Sequence, residues 1–425
     1  MKFTADIKII INKSDNTLHN LVKLFDKYEI YIKQMNCSEI KDNLAVYDIE
    51  LIHAGLASFS KCINEIKKEY GHSAIEIKSE LDEIVEKGLI QVIPRIPFEN
   101  MIDFEIKLLG AAEIAISKIK SDEKTYVGAS NAVAFISAIS TYSEDVDVKS
   151  YEHYSLCERD AAVTSNFTTL NAYPITFKFS QADEIIRFLN SIDNSFSVFR
   201  IAHVDGADGL LYEEIKSSCR LPMLIKDYDE LPIYLMALLH KIIANYNIDK
   251  TVSAIGILGL DVSTIRITSI LKQMGFTRIL GYGEDEESFM TFEKKGGMTT
   301  TPENIAANTD VLILKSIDED ISILNKMRPG QVVISTVGSL ELIELCKQRG
   351  VRKLIIADEI EHMQIFSGLL LGMKSVQIKN FSDENINQIA KKISSLLDEN
   401  YKMPGIFGNV HSVINEFVEF TFYTA

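Results

Sequence analysis

Basic charge is in short supply in this 425-residue chain: 44 Lys and Arg face 60 Asp and Glu, a formal net charge of −16. A surface that grips nucleic-acid phosphates carries a basic excess, and anionic membranes repel an acidic protein, so both partner classes are disfavoured. Cysteine is scarce too. The five (Cys37, Cys62, Cys157, Cys219, Cys346) are odd in number and none forms a C-x-x-C pair, which argues against a disulfide framework or a thiolate metal motif and for thiols in a reducing cytosol. Long apolar runs are missing. The best, Leu231 to Leu239, stops at His240-Lys241, well short of the roughly 20 residues that span a bilayer. Asp6 and Lys8 interrupt what would be the apolar part of a secretory signal. These absences lead to the expectation of a soluble cytoplasmic protein. No tandem repeat or low-complexity segment is present.

What is present is ordinary globular composition, 46% hydrophobic and 24% charged. At about 150 residues per domain the length corresponds to two to four domains. In the first eighty residues two periods alternate. Strand patterns over 3–12, 29–37, 43–53 and 73–78 are interleaved with helical stripes over 15–28 and 55–69. This β-α-β-β-α-β order predicts a ferredoxin-like unit. A mixed region follows: a short helix after residue 79, helix over 98–119, strands over 131–140, 175–179 and 197–204, and helices over 181–192 and 209–219, with 155–170 polar and unassigned. From Leu231 a long helix (231–246) leads into apolar strands at 251–258, 277–282, 310–315, 331–336 and 351–357, separated by helical segments. Continuous apolar strands alternating with helices predict a parallel sheet covered on both faces, a doubly wound Rossmann-like domain. The expected division is 1–80, 81–230 and 231–425.

The turn after the strand 251–258 reads Gly259-Leu260-Asp261-Val262-Ser263-Thr264. A dinucleotide site asks for G-x-G-x-x-G there, so that backbone can approach the pyrophosphate. Only the first glycine is present, Gly256 offers no alternative spacing, and the Asp261 carboxylate would repel the phosphates. Glu284, after the next strand, is a candidate for holding a ribose hydroxyl, or is simply part of the solvated acidic run 284–287. Carboxylates at strand ends, Asp205 after Val204 and Asp227 in Lys226-Asp227-Tyr228-Asp229-Glu230, are candidate ligands for a divalent cation. The competing explanation is helix capping by Asp229 and surface charge. The eight histidines include no H-x-x-x-H or H-E-x-x-H pair, and His72, His153, His203 and His240 read as structural. Cys157-Glu158-Arg159-Asp160 could line a cleft.

The order of pieces resembles an ACT-domain-containing malic enzyme. The fragments that carry the resemblance are Leu89 to Pro97, Asp122 to Tyr126, Asn171-Ala-Tyr-Pro-Ile175, Leu221-Pro-Met-Leu followed by Ala237-Leu-Leu, and Met403-Pro-Gly-Ile-Phe407, all in the family's order. The resemblance implies an N-terminal ACT-like domain, a malic-enzyme-like α/β domain and a Rossmann-like domain. It also implies oxidative decarboxylation of malate with NAD or NADP and Mg2+ or Mn2+. The family's general-acid tyrosine then falls on Lys107 and its general-base lysine on Asp160. Of its three metal carboxylates, one falls on Val204 and two are matched by Asp205 and Asp227. The aspartate of its S-D-G turn falls on Ala138, and a later asparagine on Thr336. The glycine-rich loop is reduced to Gly259. General acid, general base, one metal ligand and the phosphate turn are all altered. The expectation is therefore an eroded homologue that binds or regulates, with an active NAD(P)- and metal-dependent oxidoreductase of remodelled site as the alternative. Lys107 and Asp160 read as a structural ion pair, or as groups for a different reaction if burial shifts them. The ACT-like turn Asp15-Asn16-Thr17-Leu18 lacks the Pro and Gly of effector-binding members, which leaves pairing into a homodimer as its implied role.

Overall fold

The computed structural model describes residues 3–12, 17–40, 44–53, 56–70, 75–79, 88–91, 113, 116, 128–315, 321–336, 338–357 and 359–423. The chain divides into two compact units, Met1–Ile93 and Pro94–Ala425.

The first unit is an antiparallel sheet of β1 (Phe3–Asn12), β2 (Tyr31–Ile40), β3 (Leu44–His53) and β4 (Ile75–Ser79), in the order β2-β3-β1-β4. Two helices, α1 (Thr17–Lys27) and α2 (Leu56–Tyr70), complete the β-α-β-β-α-β order expected from the periodicity. Alternation along β1 explains the packing. Ala5, Ile7 and Ile9 are buried with Leu21, Phe25, Cys62 and Ile66, whereas Asp6 and Lys8 face outward.

The second unit contains two parallel sheets. One is ordered β6-β5-β7-β8, from β5 (Ala132–Ser140), β6 (Asn171–Phe179), β7 (Val198–Val204) and β8 (Met223–Ile225). Around it lie α3 (Val146–Phe167), α4 (Ala182–Ile192) and α5 (Gly209–Ser218). All of β5 but its last residue is buried, as its unbroken apolar run requires. Residues 155–170, unassigned from the sequence, belong largely to the 22-residue α3. Its sheet-facing stripe is polar, so no apolar period announced it.

After β8, a π turn (Lys226–Glu230) enters α6 (Leu231–Tyr246), whose residues 232–239 are all buried. A helix apolar all round belongs inside a large core. The six-stranded sheet follows, ordered β11-β10-β9-β12-β13-β14: β9 (Ala254–Leu258), β10 (Arg278–Tyr282), β11 (Met298–Thr299), β12 (Val311–Leu314), β13 (Val332–Ser335) and β14 (Lys353–Ile356). Its helices are α7 (Val262–Gln273), α8 (Glu286–Lys294), α9 (Pro302–Asn308) and α10 (Leu340–Gln348). Gly256 sits in β9 because a Cβ there would lie 2.7 Å from side-chain carbons of Ile305 and Thr309. The chain ends with α11 (Glu359–Val376), α12 (Asp383–Ser394) and α13 (Val410–Tyr423), which the sequence reading left unassigned. Among the described residues no helix is long and apolar enough to cross a membrane.

Both parallel sheets reverse direction of growth once. The chain adds β6 on one side of β5 and then crosses to place β7 on the other; likewise β9 is flanked by β10 and β12. Crevices at the carboxyl ends of strands at such switch points are where α/β sheets bind ligands. The residues following β5, β7, β9 and β12 therefore define the candidate site.

Candidate functional site

At the β9/β12 switch point the chain leaves β9 through Gly259, whose φ of +95° demands glycine. Asp261 then caps α7. Its Oδ1 accepts from the Thr264 N–H at 2.9 Å and from the Ser263 hydroxyl at 2.7 Å, and Thr264 Oγ1 accepts from the Asp261 N–H at 2.8 Å. This reciprocal capping box contributes about 1 kcal/mol to helix stability. It also uses backbone donors that a phosphate would need. The other Asp261 oxygen lies 3.2 Å from the Lys315 ammonium, delivered by the end of β12. Thr336, after β13, donates to the Lys315 carbonyl at 2.9 Å and so helps set where that lysine begins.

A cleft of about 530 Å³ opens beside this terminus. Asp208, Glu213, Asp261, Asp285, Glu287 and Asp383 line it, against Arg266 and Lys295 as its cations. Three of these carboxylates cap helix starts: Asp208 accepts from Leu211 N–H, Asp261 from Thr264 N–H and Asp285 from Ser288 N–H. Glu284 stays exposed in the turn after β10 and is not part of the cleft wall.

At the β5/β7 switch point Asp205 gathers four donors. These are the Ser140 N–H (3.0 Å), the Ser143 hydroxyl (2.7 Å), His203 Nε2 (2.7 Å) and the Lys149 ammonium (2.7 Å). Burial alone would raise its pKa, but Lys149, His203 and Ser143 hold the carboxyl well below the usual range. The His203 ring stacks on His153, centroids 4.1 Å apart. Burial, with His203 close by, pushes His153 down to about 4, so it is neutral at pH 7. His240, by contrast, is structural, with its Nε2 2.8 Å from Asn387 Oδ1. His72 lies outside the described residues.

The π turn connects the two ends of the site. Its wide turn splays three carboxylates in different directions. Asp227 is half-buried. Burial raises its pKa, Lys315 and Lys226 pull it back down, and Asp261 adds to the rise. Asp229 does not cap α6, contrary to the sequence expectation. It is fully buried, accepting from Lys216 Nζ (2.7 and 2.6 Å), Arg266 (2.6 Å) and the Ile225 N–H (2.8 Å). Lys216 is pushed down to about 8 by burial, against the pull of Asp229. Glu230 turns the other way and accepts a bidentate pair from Arg200, at 2.6 and 2.9 Å. His362 Nε2 is 3.2 Å from the same carboxylate, without hydrogen-bond alignment.

Asp160, at the expected general-base position, belongs to this second network. One oxygen accepts from Arg200 at 2.8 Å and the other from Arg159 at 2.9 and 2.8 Å. Its ion-pair partners are therefore arginines; Lys107 lies outside the described residues. Arg200 is completely buried, between the rings of Phe135 (5.2 Å) and Phe366 (4.2 Å). Cys157, one turn before Asp160, is buried 3.2 Å from Ser137 Oγ. Val204 and Ala138, onto which the resemblance placed two of the family's carboxylates, are core residues, 3% and 1% exposed. Sequence reasoning did not find Arg200, Lys216, Arg266, Lys149 or Lys315. The only available signal was cationic residues placed in or next to apolar segments.

The buried Glu230 sets an acid limit. Burial would raise its pKa, but Arg200 and His362 bring it from an ordinary 4.5 down to about 2. A depressed folded pKa contributes stability that is complete above the unfolded value and lost as pH falls through the folded one. Urea midpoints followed from about pH 5 to about pH 2 are expected to fall, with about 3 kcal/mol traceable to this group. A Glu230→Gln variant should lack that part of the slope.

No family model matches the chain. It is similar to NAD-dependent malic enzyme 1 of Bacillus subtilis (strain 168), 19% identical over 362 residues, spanning 83% of this chain and 82% of that protein. Its structure is similar to the malic enzyme of Pyrococcus horikoshii, with a TM-score of 0.67 at 18% identity over 78% of this chain and 86% of the other. The NAD-dependent malic enzyme of Thermotoga maritima gives a TM-score of 0.68 at 15% identity, over 80% of this chain and 98% of the other. The chain thus has a malic-enzyme-like fold, and its distant sequence likeness to a malic enzyme runs along most of both proteins.

Proposed function

We propose that this protein is a malic-enzyme-like homologue that has set aside the parent oxidation and works as a binding or regulatory subunit. One observation carries the proposal: the Asp261 carboxylate is seated in the start of α7 and paired with Lys315, where a dinucleotide pyrophosphate would have to lie. The acidic lining of the adjacent cleft adds repulsion to the loss of donors. The residues present do not fit NAD or NADP. They do not fit a divalent metal either. Asp205 is saturated by four donors, the neighbouring position is the apolar Val204, and among the described residues no three His, Cys, Asp or Glu side chains form a metal-binding group. Asp160 is bound to two guanidinium groups and is poorly placed to take a proton from substrate.

A second reading, an active NAD(P)- and metal-dependent enzyme of the malic type with a remodelled site, draws on one feature. Asp227 is a half-buried carboxylate whose pKa burial raises, the usual condition of an acid–base group. Thermal unfolding with NAD+ and with NADP+, each with Mn2+ and malate, separates the two. A ligand at 100 times its Kd adds about 2.7 kcal/mol, a Tm rise of several degrees. The proposal expects no shift in any combination. A clear rise with one dinucleotide would overturn it and favour the second reading.

A further inference from the structure

α3 is built inside out. A surface helix ordinarily buries an apolar stripe and turns a polar one to water. α3 instead buries Cys157, Asp160, Ala161 and Thr164, and its inward polar groups are tied to Asp205, Arg200 and Ser367. Outward it carries Val148, 58% exposed, and Tyr151, 75% exposed, with Tyr154 and Leu156 exposed further along. Tyr142, in the turn before the helix, is 81% exposed. Val148, Tyr151 and Tyr154 follow one another at three-residue spacing, so they are neighbours on the helix surface. The side chains of Tyr142 and Tyr151 make no hydrogen bond or ring contact among the described residues. Exposed apolar residues such as Leu210, Val252 and Leu340 stand singly, which is ordinary; a group on one helix face marks an interaction surface. The charges around this group are of one sign. Glu144, Asp145 and Glu152 are exposed and have no basic partner among the described residues. Asp147 is paired with Lys178. The two basic residues of α3, Lys149 and Arg159, are paired with Asp205 and Asp160.

We propose that the outer face of α3 docks an arginine-rich segment of a partner protein. This names a kind of partner for the binding or regulatory subunit proposed above, and rests on that reading only for there being a partner. A guanidinium stacks on a tyrosine ring while its fork of donors meets a carboxylate. The face supplies both, with Glu152 next to Tyr151 and Glu144 two residues after Tyr142. The apolar stem of an arginine covers surface such as that of Val148. The inward bonds of α3 hold the helix in place, so the face is presented at little ordering cost. A second copy fits worse. A two-fold contact sets the same patch against itself and would bring two acidic faces together, in a chain of net charge −16. A partner seated here bears on the helix that presents Lys149 to Asp205 and His153 to His203.

The test is fluorescence anisotropy of a labelled helical peptide, Leu on one face and Arg on the other, about 18 residues or about five turns long, titrated with the full chain. Two sister peptides carry Lys or Glu in place of Arg. The Arg peptide is expected to bind more tightly than the Lys peptide, and the Glu peptide not at all. Tyr151→Ser/Glu152→Gln is expected to weaken the Arg peptide at least about tenfold, equivalent to about 1.4 kcal/mol, with unchanged circular dichroism because both side chains are exposed. Leu340→Ser/Glu341→Gln removes an exposed apolar residue and an exposed acid from α10, and should leave the affinity as it was. No binding of the Arg peptide would overturn the proposal, as would equal binding of the Arg and Lys peptides. An equal loss in the α10 variant would show charge attraction without a site and would overturn it too. So would sedimentation equilibrium showing a dimer that Tyr151→Ser/Glu152→Gln dissociates, which would assign the face to a second copy. No dinucleotide enters the assay, so its outcome is read separately from the thermal-shift experiment.

Discussion

Arg200→Met is expected to lower the stability of the second unit by about 3–5 kcal/mol, a large share of the roughly 5–15 kcal/mol that holds a folded domain. The side chain is completely buried and makes three charged hydrogen bonds, two to Glu230 and one to Asp160. Burial by itself would lower its pKa, yet Glu230 and Asp160 hold it above the ordinary arginine value. Methionine matches the apolar stem between Phe135 and Phe366 but leaves the two acids short of charge. Asp160 keeps Arg159. Among the described residues Glu230 keeps only the poorly aligned His362, so most of the loss is assigned to Glu230. Combining Arg200→Met with Glu230→Leu should therefore recover part of the stability, giving a coupling free energy in a double-mutant cycle. Arg200→Lys is expected to recover little, because one ammonium cannot serve the bidentate geometry. Urea unfolding followed by circular dichroism is the measurement, since the chain has no Trp to report by fluorescence. Equal destabilisation of the single and double variants would show that Arg200 acts through packing alone.

Asp229→Ala is the second large expected effect, again about 3–5 kcal/mol at neutral pH. The substitution strands two buried cations, Lys216 at 5% and Arg266 at 7% side-chain exposure, together with the Ile225 N–H. The cations differ in their escape. Arg266 retains Asp383 at 3.2 Å and the Phe381 carbonyl at 2.7 Å. Among the described residues Lys216 has no second hydrogen bond, only the Tyr228 ring 5.1 Å away, and it relieves its burial by losing its proton. Its folded pKa is already pushed down to about 8 from 10.5, so the unfolded chain binds more protons between those values and stability from this group rises with pH there. Without Asp229 the folded pKa falls further and the rise is larger. The gap between wild type and Asp229→Ala should accordingly narrow from pH 7 toward pH 10, measured as urea midpoints across that range. A gap constant with pH would show that Lys216 is not the stranded group. Because Asp229 joins α5 of one sheet layer to α7 of the other, the same variant should exchange amide hydrogens faster along those two helices.

The local periods in the sequence were enough to place β5, β9 and the first half of α6, because each is a run of apolar residues, and β7, whose apolar residues outnumber Arg200 and His203. That only Gly259 of a glycine-rich turn is present was likewise readable directly, since that motif concerns six consecutive residues. α3 was less legible. Its inward stripe of Lys149, His153, Cys157, Asp160 and Thr164 is polar and meets polar partners in Asp205, His203, Ser137, Arg200 and Ser367. A helix buried on its polar side shows no apolar period.

The sequence by itself determined most of the described strands and helices up to β14, and that the turn after β9 keeps only Gly259 of a glycine-rich motif. It also determined which positions carry carboxylates. Tertiary structure alone decided what those carboxylates do. Asp160 meets Arg200 forty residues away, Asp229 meets Arg266 thirty-seven residues away, and Asp261 meets a lysine at the end of another strand. The reason is physical. A period is set by neighbours along the chain, whereas a buried charge takes whichever opposite charge the topology brings within about 3 Å, because leaving it unpaired there costs several kcal/mol.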